Sequence, residues 1–300
     1  MKKINRLFIA AFIAGMLPSS CISEGDCPEK ESIYNFQIQI PSLAGSGSNE
    51  DKDIISNLDA YVFSKEGRNI QHITNVKVSQ EGMIRLTLGA TEIGSIYFLA
   101  NYPETLGNEV VTENELINRS TVPEVMSPDN YFLTSVYTPP VANGNSGEKL
   151  VFTRSVSRID LDMGDNELLE IDSVTIGNVA DRTYLFPRSG HSIPENAELT
   201  TFSKKFTSSP GRSTEEIRKG IFYVYENGTN TANISVYGRF NGVKHQIDLT
   251  IPDINRNYLY TIILNPVGQT IEGIIKIQDW QEGDEIQTGN GHTTTILHKL

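Results

Sequence analysis

The sequence predicts an all-β protein made of two tandem β-sandwich domains, with short helices confined to loops. Three observations lead there. Short apolar or alternating runs recur along the chain, divided by Gly, Asn, Ser and Pro turns, with little helical periodicity. Asn241-Gly242 stands between two alternating runs, and both central positions of a type I′ hairpin turn require positive φ. The stretch T-P-P-V-A-N-G-N-S-G-E-K, from Thr138 to Lys149, interrupts the strands with two prolines and a series of small and polar residues, so a domain boundary is placed there.

The chain opens on a secretory signal. Lys2, Lys3 and Arg6 precede an apolar run from Leu7 to Leu17, too short to span a bilayer as a helix, and Ser19 and Ser20 lead into Cys21. A Cys at that place is what a lipoprotein signal peptidase requires; Pro18 stands where an aliphatic residue is usual, with Leu17 one position further back. Residues 1–20 are therefore expected to be a signal peptide and 21–31 a lipidated tether, with Cys21 the acylated residue. Acyl chains such as palmitate supply several tens of methylenes at about 0.8 kcal/mol each, enough for stable anchoring. The alternative is an ordinary secreted protein with a chance Cys.

The first sandwich is expected over 32–142. Tyr34, Phe36, Ile38 and Ile40 alternate with polar residues, as a half-buried strand does. A small, polar loop follows from Pro41 to Asp53. Further strands are predicted at Leu58–Phe63, Val76–Val78, Ile84–Leu88 and Ile96–Ala100. Thr112 and Glu115 have capping-box spacing ahead of Leu116 and Ile117, which predicts one short helix.

The second sandwich is expected over 148–285. It begins with L-V-F-T-R-S-V-S-R-I-D-L-D-M, in which Val151, Ile159, Leu161 and Met163 share one parity. Strands follow at Ile221–Tyr225, Ala232–Phe240, Val243–Ile251, Tyr258–Leu264 and Ile274–Trp280, after a long polar excursion from Pro187 to Gly220. Residues 286–300 are expected to be a tail, although Thr293–Leu297 has strand character.

Removing the signal leaves 22 basic against 37 acidic residues, a net charge of −15 that repels nucleic acid and anionic lipid. With Cys21 acylated, Cys27 is an odd thiol, read as free in the tether rather than as a bridge between molecules, because Glu24, Asp26, Glu29 and Glu31 disfavour its thiolate.

No catalytic signature is present: no G-x-S-x-G, H-E-x-x-H, phosphate-binding loop or dinucleotide fingerprint. The histidines at 72, 191, 245, 292 and 298 lack ligand spacing; His245 shares parity with Val243, Ile247 and Leu249 and is read as facing a core. Asp160, Asp162, Asp165, Glu167, Glu170 and Asp172 make a Ca²⁺ site conceivable, but the order of an EF-hand loop is missing, so a solvated edge that discourages sheet aggregation is preferred. Residues 182–220 are locally basic, with Arg182, Arg188, Lys204, Lys205, Arg212, Arg218 and Lys219, and are read as a solvated loop rather than a partner-facing patch. Trp280 is assigned to the core. The sequons at Asn118, Asn227 and Asn233 carry no weight in a bacterial lipoprotein. No catalytic residue, cofactor or metal is expected.

Several motifs, in order, resemble the fimbrillin-like lipoproteins of Bacteroidales, and among them the FimB-type fimbrial anchor subunits. They are C-I-S-E-G-D-C-P at Cys21–Pro28, N-L-D-A-Y-V-F-S-K-E-G at Asn57–Gly67, F-L-A-N-Y-P at Phe98–Pro103 and R-S-V-S-R-I-D-L at Arg154–Leu161. F-Y-V-Y-E-N at Phe222–Asn227, N-R-N-Y-L-Y-T-I-I-L at Asn255–Leu264 and I-Q-D-W at Ile277–Trp280 complete them. The resemblance implies two transthyretin-like β-sandwiches, no enzymatic activity, and assembly with other fimbrial (fimbrillin) subunits into a pilus-like surface fimbrium by strand donation.

In polymerising fimbrillins an Arg-specific protease cuts after the first strand and frees its groove. Here no Arg occurs between Cys21 and Arg68; Lys52 is the only basic residue of the loop after that strand. That favours a base-anchoring subunit that keeps its strand and hangs from the outer membrane by its lipid, exposed at the cell surface. Glu24 and Asp26 resemble the acidic residues that direct such lipoproteins outward. The alternatives are a minor or tip fimbrillin adhesin, or a surface glycan-binding lipoprotein. The last of these would place exposed aromatic rings on a flat face.

Overall fold

The computed structural model describes residues 31–41, 53–89, 92–103, 106, 110–123, 127–140, 147–164, 166, 168–188, 193–206, 217–279 and 296–298. Among them the chain is almost wholly β, arranged as two sandwiches. No helix among the described residues is long and apolar enough to cross a membrane.

The first sandwich contains β1 (Ser32–Gln39), β2 (Leu58–Ser64), β3 (Asn69–Ile73), β4 (Met83–Leu88), β5 (Ile93–Ala100), α1 (Glu113–Ile117), β6 (Leu133–Tyr137), β7 (Glu148–Val151) and β8 (Thr153–Arg154). One sheet has the order β4-β1-β7 and the other β3-β2-β5-β6-β8. Tyr34, Phe36, Ile84, Leu86 and Leu150 from the first sheet meet Ala60, Val62, Ile96, Phe98 and Leu133 from the second in a common core.

The opposite face of the five-stranded sheet is covered too. Tyr61, Phe63 and Leu99 pack there with Leu116 of α1 and with Leu185 and Phe186. Burial on both faces explains why Ala60–Phe63 and Phe98–Ala100 are continuous apolar runs rather than alternating ones. The helix is held by the predicted capping box, with Thr112 Oγ1 accepting from Glu115 N at 3.2 Å and Glu115 Oε2 accepting from Thr112 N at 3.0 Å.

The second sandwich contains β9 (Ser157–Asp162), β10 (Leu169–Ala180), β11 (Leu199–Lys205), β12 (Ile217–Val224), β13 (Ala232–Phe240), β14 (Val243–Ile251), β15 (Tyr258–Val267), β16 (Thr270–Asp279) and β17 (Ile296–His298). Its sheets are β11-β10-β13-β14 and β12-β9-β15-β16-β17. Ile171, Ile176, Val236, Ile247 and Leu249 face Ile159, Leu161, Ile262 and Ile275 across the core. The β13–β14 hairpin turns at Asn241 and Gly242 with φ of 51° and 79°, as the sequence predicts.

Some elements differ from expectation. Val76–Val78 forms no strand: Val76 caps β2 through a bond from its N–H to Leu58 O at 2.7 Å, and Val78 makes a single bridge to Ile84. β3, β6, β10 and β11 lie outside the expected strands: β3 and β11 are polar edge strands, and β10 has register shifts against both neighbours that break its alternation. β7 follows the expected linker, yet it pairs in parallel with β1 of the first sandwich, Phe36 opposite Glu148 through Gln39 opposite Val151.

Candidate functional site: the seat of the first strand and the junction behind it

β1 lies in the middle of its sheet. It runs antiparallel to β4, with Ser32 opposite Leu88 and Gln37 opposite Met83, and parallel to β7 on its other edge. Alternation sends Tyr34 and Phe36 inward. Phe36 is 1% exposed and meets Phe98 and Tyr137 edge-on, with ring centroids 5.4 and 4.9 Å apart. Tyr34 stacks beside Phe36 at 6.2 Å. Lifting β1 out would open a groove between β4 and β7 floored by Phe98 and Tyr137, with unpaired backbone on both rims.

Beside this seat the sandwich has an open seam. β7 ends its sheet, and β6 pairs with β8 only at Leu133 and Thr134. Between them lies a cleft of about 350 Å³ whose lining includes Val136 and Val151, exposed by 45% and 41%. Burial, then the hydrogen bond to the Glu148 carboxylate, pushes the Tyr137 phenol well above its ordinary range.

Behind the seat, each sandwich brings a buried ion pair to the corner where the two meet, and Asn257 bridges them. Asp53, the first described residue after the loop that follows β1, is 2% exposed and Arg154 is 1% exposed. Arg154 Nε and Nη2 donate to the two Asp53 carboxylate oxygens at 2.9 and 2.6 Å, and Tyr131 Oη donates to Asp53 Oδ1 at 2.9 Å. Asn257 Oδ1, from the second sandwich, accepts from Arg154 N at 3.2 Å.

Next along the chain, Arg256 donates to Glu226 Oε1, to Thr183 Oγ1 at 2.6 Å and to Tyr184 O at 3.0 Å. Both guanidiniums use the planar fork that a carboxylate can receive twice, which is the geometry in which burying the pair is tolerable. Asn227 adds to the same corner, accepting from Ile254 N at 2.7 Å. Sequence reasoning did not find this network. Its members Arg154, Glu226, Asn227, Arg256 and Asn257 lie inside the motifs quoted above, and the available signal was a charged or amide residue embedded in an apolar run.

Cys21, Cys27, Trp280, His191, His292 and residues 42–52 lie outside the described residues. The acidic group is not uniformly a solvated edge. Asp160 is 2% exposed, pairs with Arg158 at 2.9 Å and accepts from Gly220 N at 2.8 Å. Glu170 and Asp172 do face outward and share Arg239 at 3.3 and 3.4 Å; Asp165 and Glu167 are not described. Among the described residues no group of three His, Cys, Asp or Glu is placed to hold a metal.

His245 is half-buried at the end of the β14 core face, where Ile247 and Leu249 are buried but Val243 is 61% exposed. His72 stacks on Tyr61 at 4.2 Å, with its Nε2 3.5 Å from Asp59 Oδ2. In the basic stretch, Arg182 pairs with Asp181 at 2.9 Å, Lys204 and Lys205 are exposed on β11, and Arg188 lies 4.6 Å over the Tyr184 ring. Tyr237 on β13 is the one exposed tyrosine.

No protein-family model matches the sequence, and no curated protein is similar enough to match. Solved structures match in fold. The tip fimbrial protein Mfa3 of Porphyromonas gingivalis, solved with a C-terminal truncation, is 13% identical and superposes with a TM-score of 0.55 over 83% of this chain and 100% of its own. A fimbrial assembly protein of Parabacteroides distasonis is 12% identical, with a TM-score of 0.54 over 90% of this chain and 100% of its own.

The chain has the fold of these fimbrial proteins. A fimbrilin (fimA) of Porphyromonas gingivalis, 13% identical, shares it with a TM-score of 0.50 over 84% of this chain and 98% of its own. At such identities the likeness is one of architecture, and the fimbrial fold extends through both sandwiches because the matches cover nearly all of each solved chain.

Proposed function

We propose that this chain is a non-enzymatic, lipid-anchored subunit of a cell-surface fimbrium, attached to the outer membrane through Cys21 and seated at the base. The observation that carries the reading is the place of β1. It is the central strand of its sheet, paired on both edges, and no Arg stands between Cys21 and Arg68. A subunit whose own strand stays in place terminates a strand-donation polymer rather than extending it.

The same strand follows the tether directly. A pull between the lipid and the body loads the parallel β1–β7 pairing along the strands, where the ladder bonds share the strain rather than opening one at a time. A neighbouring subunit would add an extended segment at the seam between β6 and β7, where two strand edges and two exposed valines lie together. The division into domains at 32–142 and 148–285 belongs to this proposal with one exchange: β7 and β8 complete the first sandwich, so its strands run on to Arg154.

The tip reading has one observation in its favour, the fold shared with a tip fimbrial protein. Affinity purification of the full chain from its own cell envelope separates the readings. A base anchor brings down fimbrial subunits, and immunogold labelling places it at the membrane end of the fibre. Label at the free end supports the tip role, and recovery of the chain without any fimbrial subunit sinks both.

A further inference from the structure

We infer that a pocket where the two sandwiches join binds a saccharide unit. Residues 119–121, just after α1, run beside residues 183–185: Thr121 N donates to Thr183 O and Leu185 N to Arg119 O, each at 2.8 Å, with Ser120 opposite Tyr184. This short ladder is the floor, and Thr121 and Thr183 beneath it are buried. A turn closed by Ala197 N donating to Pro194 O at 2.9 Å forms one wall. The space enclosed is about 440 Å³ and opens to solvent, within the range of about 300–1,000 Å³ typical of ligand pockets.

The lining selects the ligand class. Asn118, Ser120, Glu195 and Asn196 offer amides, a hydroxyl and a carboxylate, and Arg188 lies over the Tyr184 ring. Arg188 and Glu195 balance in charge, so a phosphate or sulfate would meet one cation and one repelling carboxylate. An apolar ligand would find almost no apolar wall. A ring bearing vicinal hydroxyls, each both donor and acceptor, matches a surface that supplies both functions at close spacing.

Asn118 already spends its Nδ2 on Asn114 O at 2.7 Å and Oδ1 at 3.0 Å, which fixes its own Oδ1 as an acceptor. Stacking on Tyr184 restrains the Arg188 guanidinium and does not engage its in-plane N–H groups, which point their donors along the plane of the fork. Because the floor and walls come from both halves of the chain and the floor is hydrogen-bonded, the pocket is formed before ligand arrives.

The test uses the purified full chain on a glycan microarray carrying neutral, amino-sugar and acidic oligosaccharides. NMR titration follows with the best ligand, or with glucose, N-acetylglucosamine and N-acetylneuraminic acid if none scores. The proposal expects binding that Arg188→Ala and Asn196→Ala each weaken by about tenfold or more, since each leaves a ligand hydroxyl unpaired. Both residues are exposed, so melting temperatures should be unchanged. Tyr237→Ala, on the outer face of the β11-β10-β13-β14 sheet, should bind as the parent does. No binding to any of the three sugar classes, binding indifferent to Arg188 and Asn196, or binding lost instead with Tyr237→Ala each overturns it. None of these outcomes bears on fimbrial assembly, which is read separately by co-purification.

Discussion

Replacing Arg154 by Met probes the buried ion pair that the first sandwich places at the joint. Asp53 and Arg154 are almost wholly buried and doubly hydrogen-bonded, and the substitution leaves the Asp53 carboxylate with only the Tyr131 hydroxyl. Breaking a buried pair from one side costs about 3–5 kcal/mol, because the surviving charge is uncompensated. That is a shift of roughly 10²–10³·⁵ in the folding equilibrium, or a fall in Tm of roughly 6–20 °C for a chain of this class. Asn257 keeps its bond to the backbone N–H of residue 154 and loses only the long bond from Arg154 Nη1 at 3.4 Å, so most of the loss falls on Asp53.

Urea denaturation at neutral pH measures the effect, with Asp53→Leu/Arg154→Met as partner. The double variant removes both charges and should recover most of the loss, since apolar replacement of a buried pair is often neutral. A loss below about 1 kcal/mol for Arg154→Met, the value of an exposed pair, would refute the reasoning. So would a double variant whose loss equals the sum of the two single ones, since that means no coupling.

Other outcomes follow from the same geometry. Phe36→Ala removes the aromatic anchor of β1 from between Phe98 and Tyr137 and should cost about 3–5 kcal/mol by denaturant melt; a cost under about 1 kcal/mol would mean β1 is not seated as described. The Asp248 carboxyl is held below its usual range by hydrogen bonds from Ser235 and then Gln246. Its folded pKa lies below its unfolded one, so the stabilisation is present above the ordinary carboxylate range and disappears as pH falls through the lowered value. Ser235→Ala should move the carboxyl resonance titration upward, toward an ordinary Asp; an unmoved titration contradicts the assignment. Thr112→Ala should cost about 0.5–2 kcal/mol by removing the cap of α1, and the loss should shrink if Glu115 is already replaced, since the two residues form one reciprocal cap.

What the sequence made legible was mostly the periodicity of strands buried on one face. β1, β4, β13 and β14 follow their alternation, and the Asn241-Gly242 turn and Thr112 cap follow from backbone chemistry alone. β3 and β11 escaped because edge strands carry polar residues on the positions that signal alternation. β10 was hidden by register shifts against both neighbours, where bulges break the period of two.

Gly238 shows one reason for such a bulge. A Cβ there would lie 2.3 Å from Glu170 O, so the two strands approach more closely than any other residue allows. The junction was the largest omission. A charge inside a strand motif looks solvent-facing until its partner is placed beside it: Arg154 meets Asp53 from 101 residues away and Glu226 meets Arg256 from 30, while Asp160 is buried against Arg158 of its own strand.

In the proposed function Cys21 is the tether and a fimbrium the load that it would hold. The measurement closest to that claim is the partition of fimbriae between cells and medium in a strain carrying Cys21→Ala at normal expression. The account predicts that the altered chain leaves the membrane fraction and that assembled fimbriae appear in the medium. Fimbriae that remain on the cells, with the chain still in the membrane fraction, would contradict it.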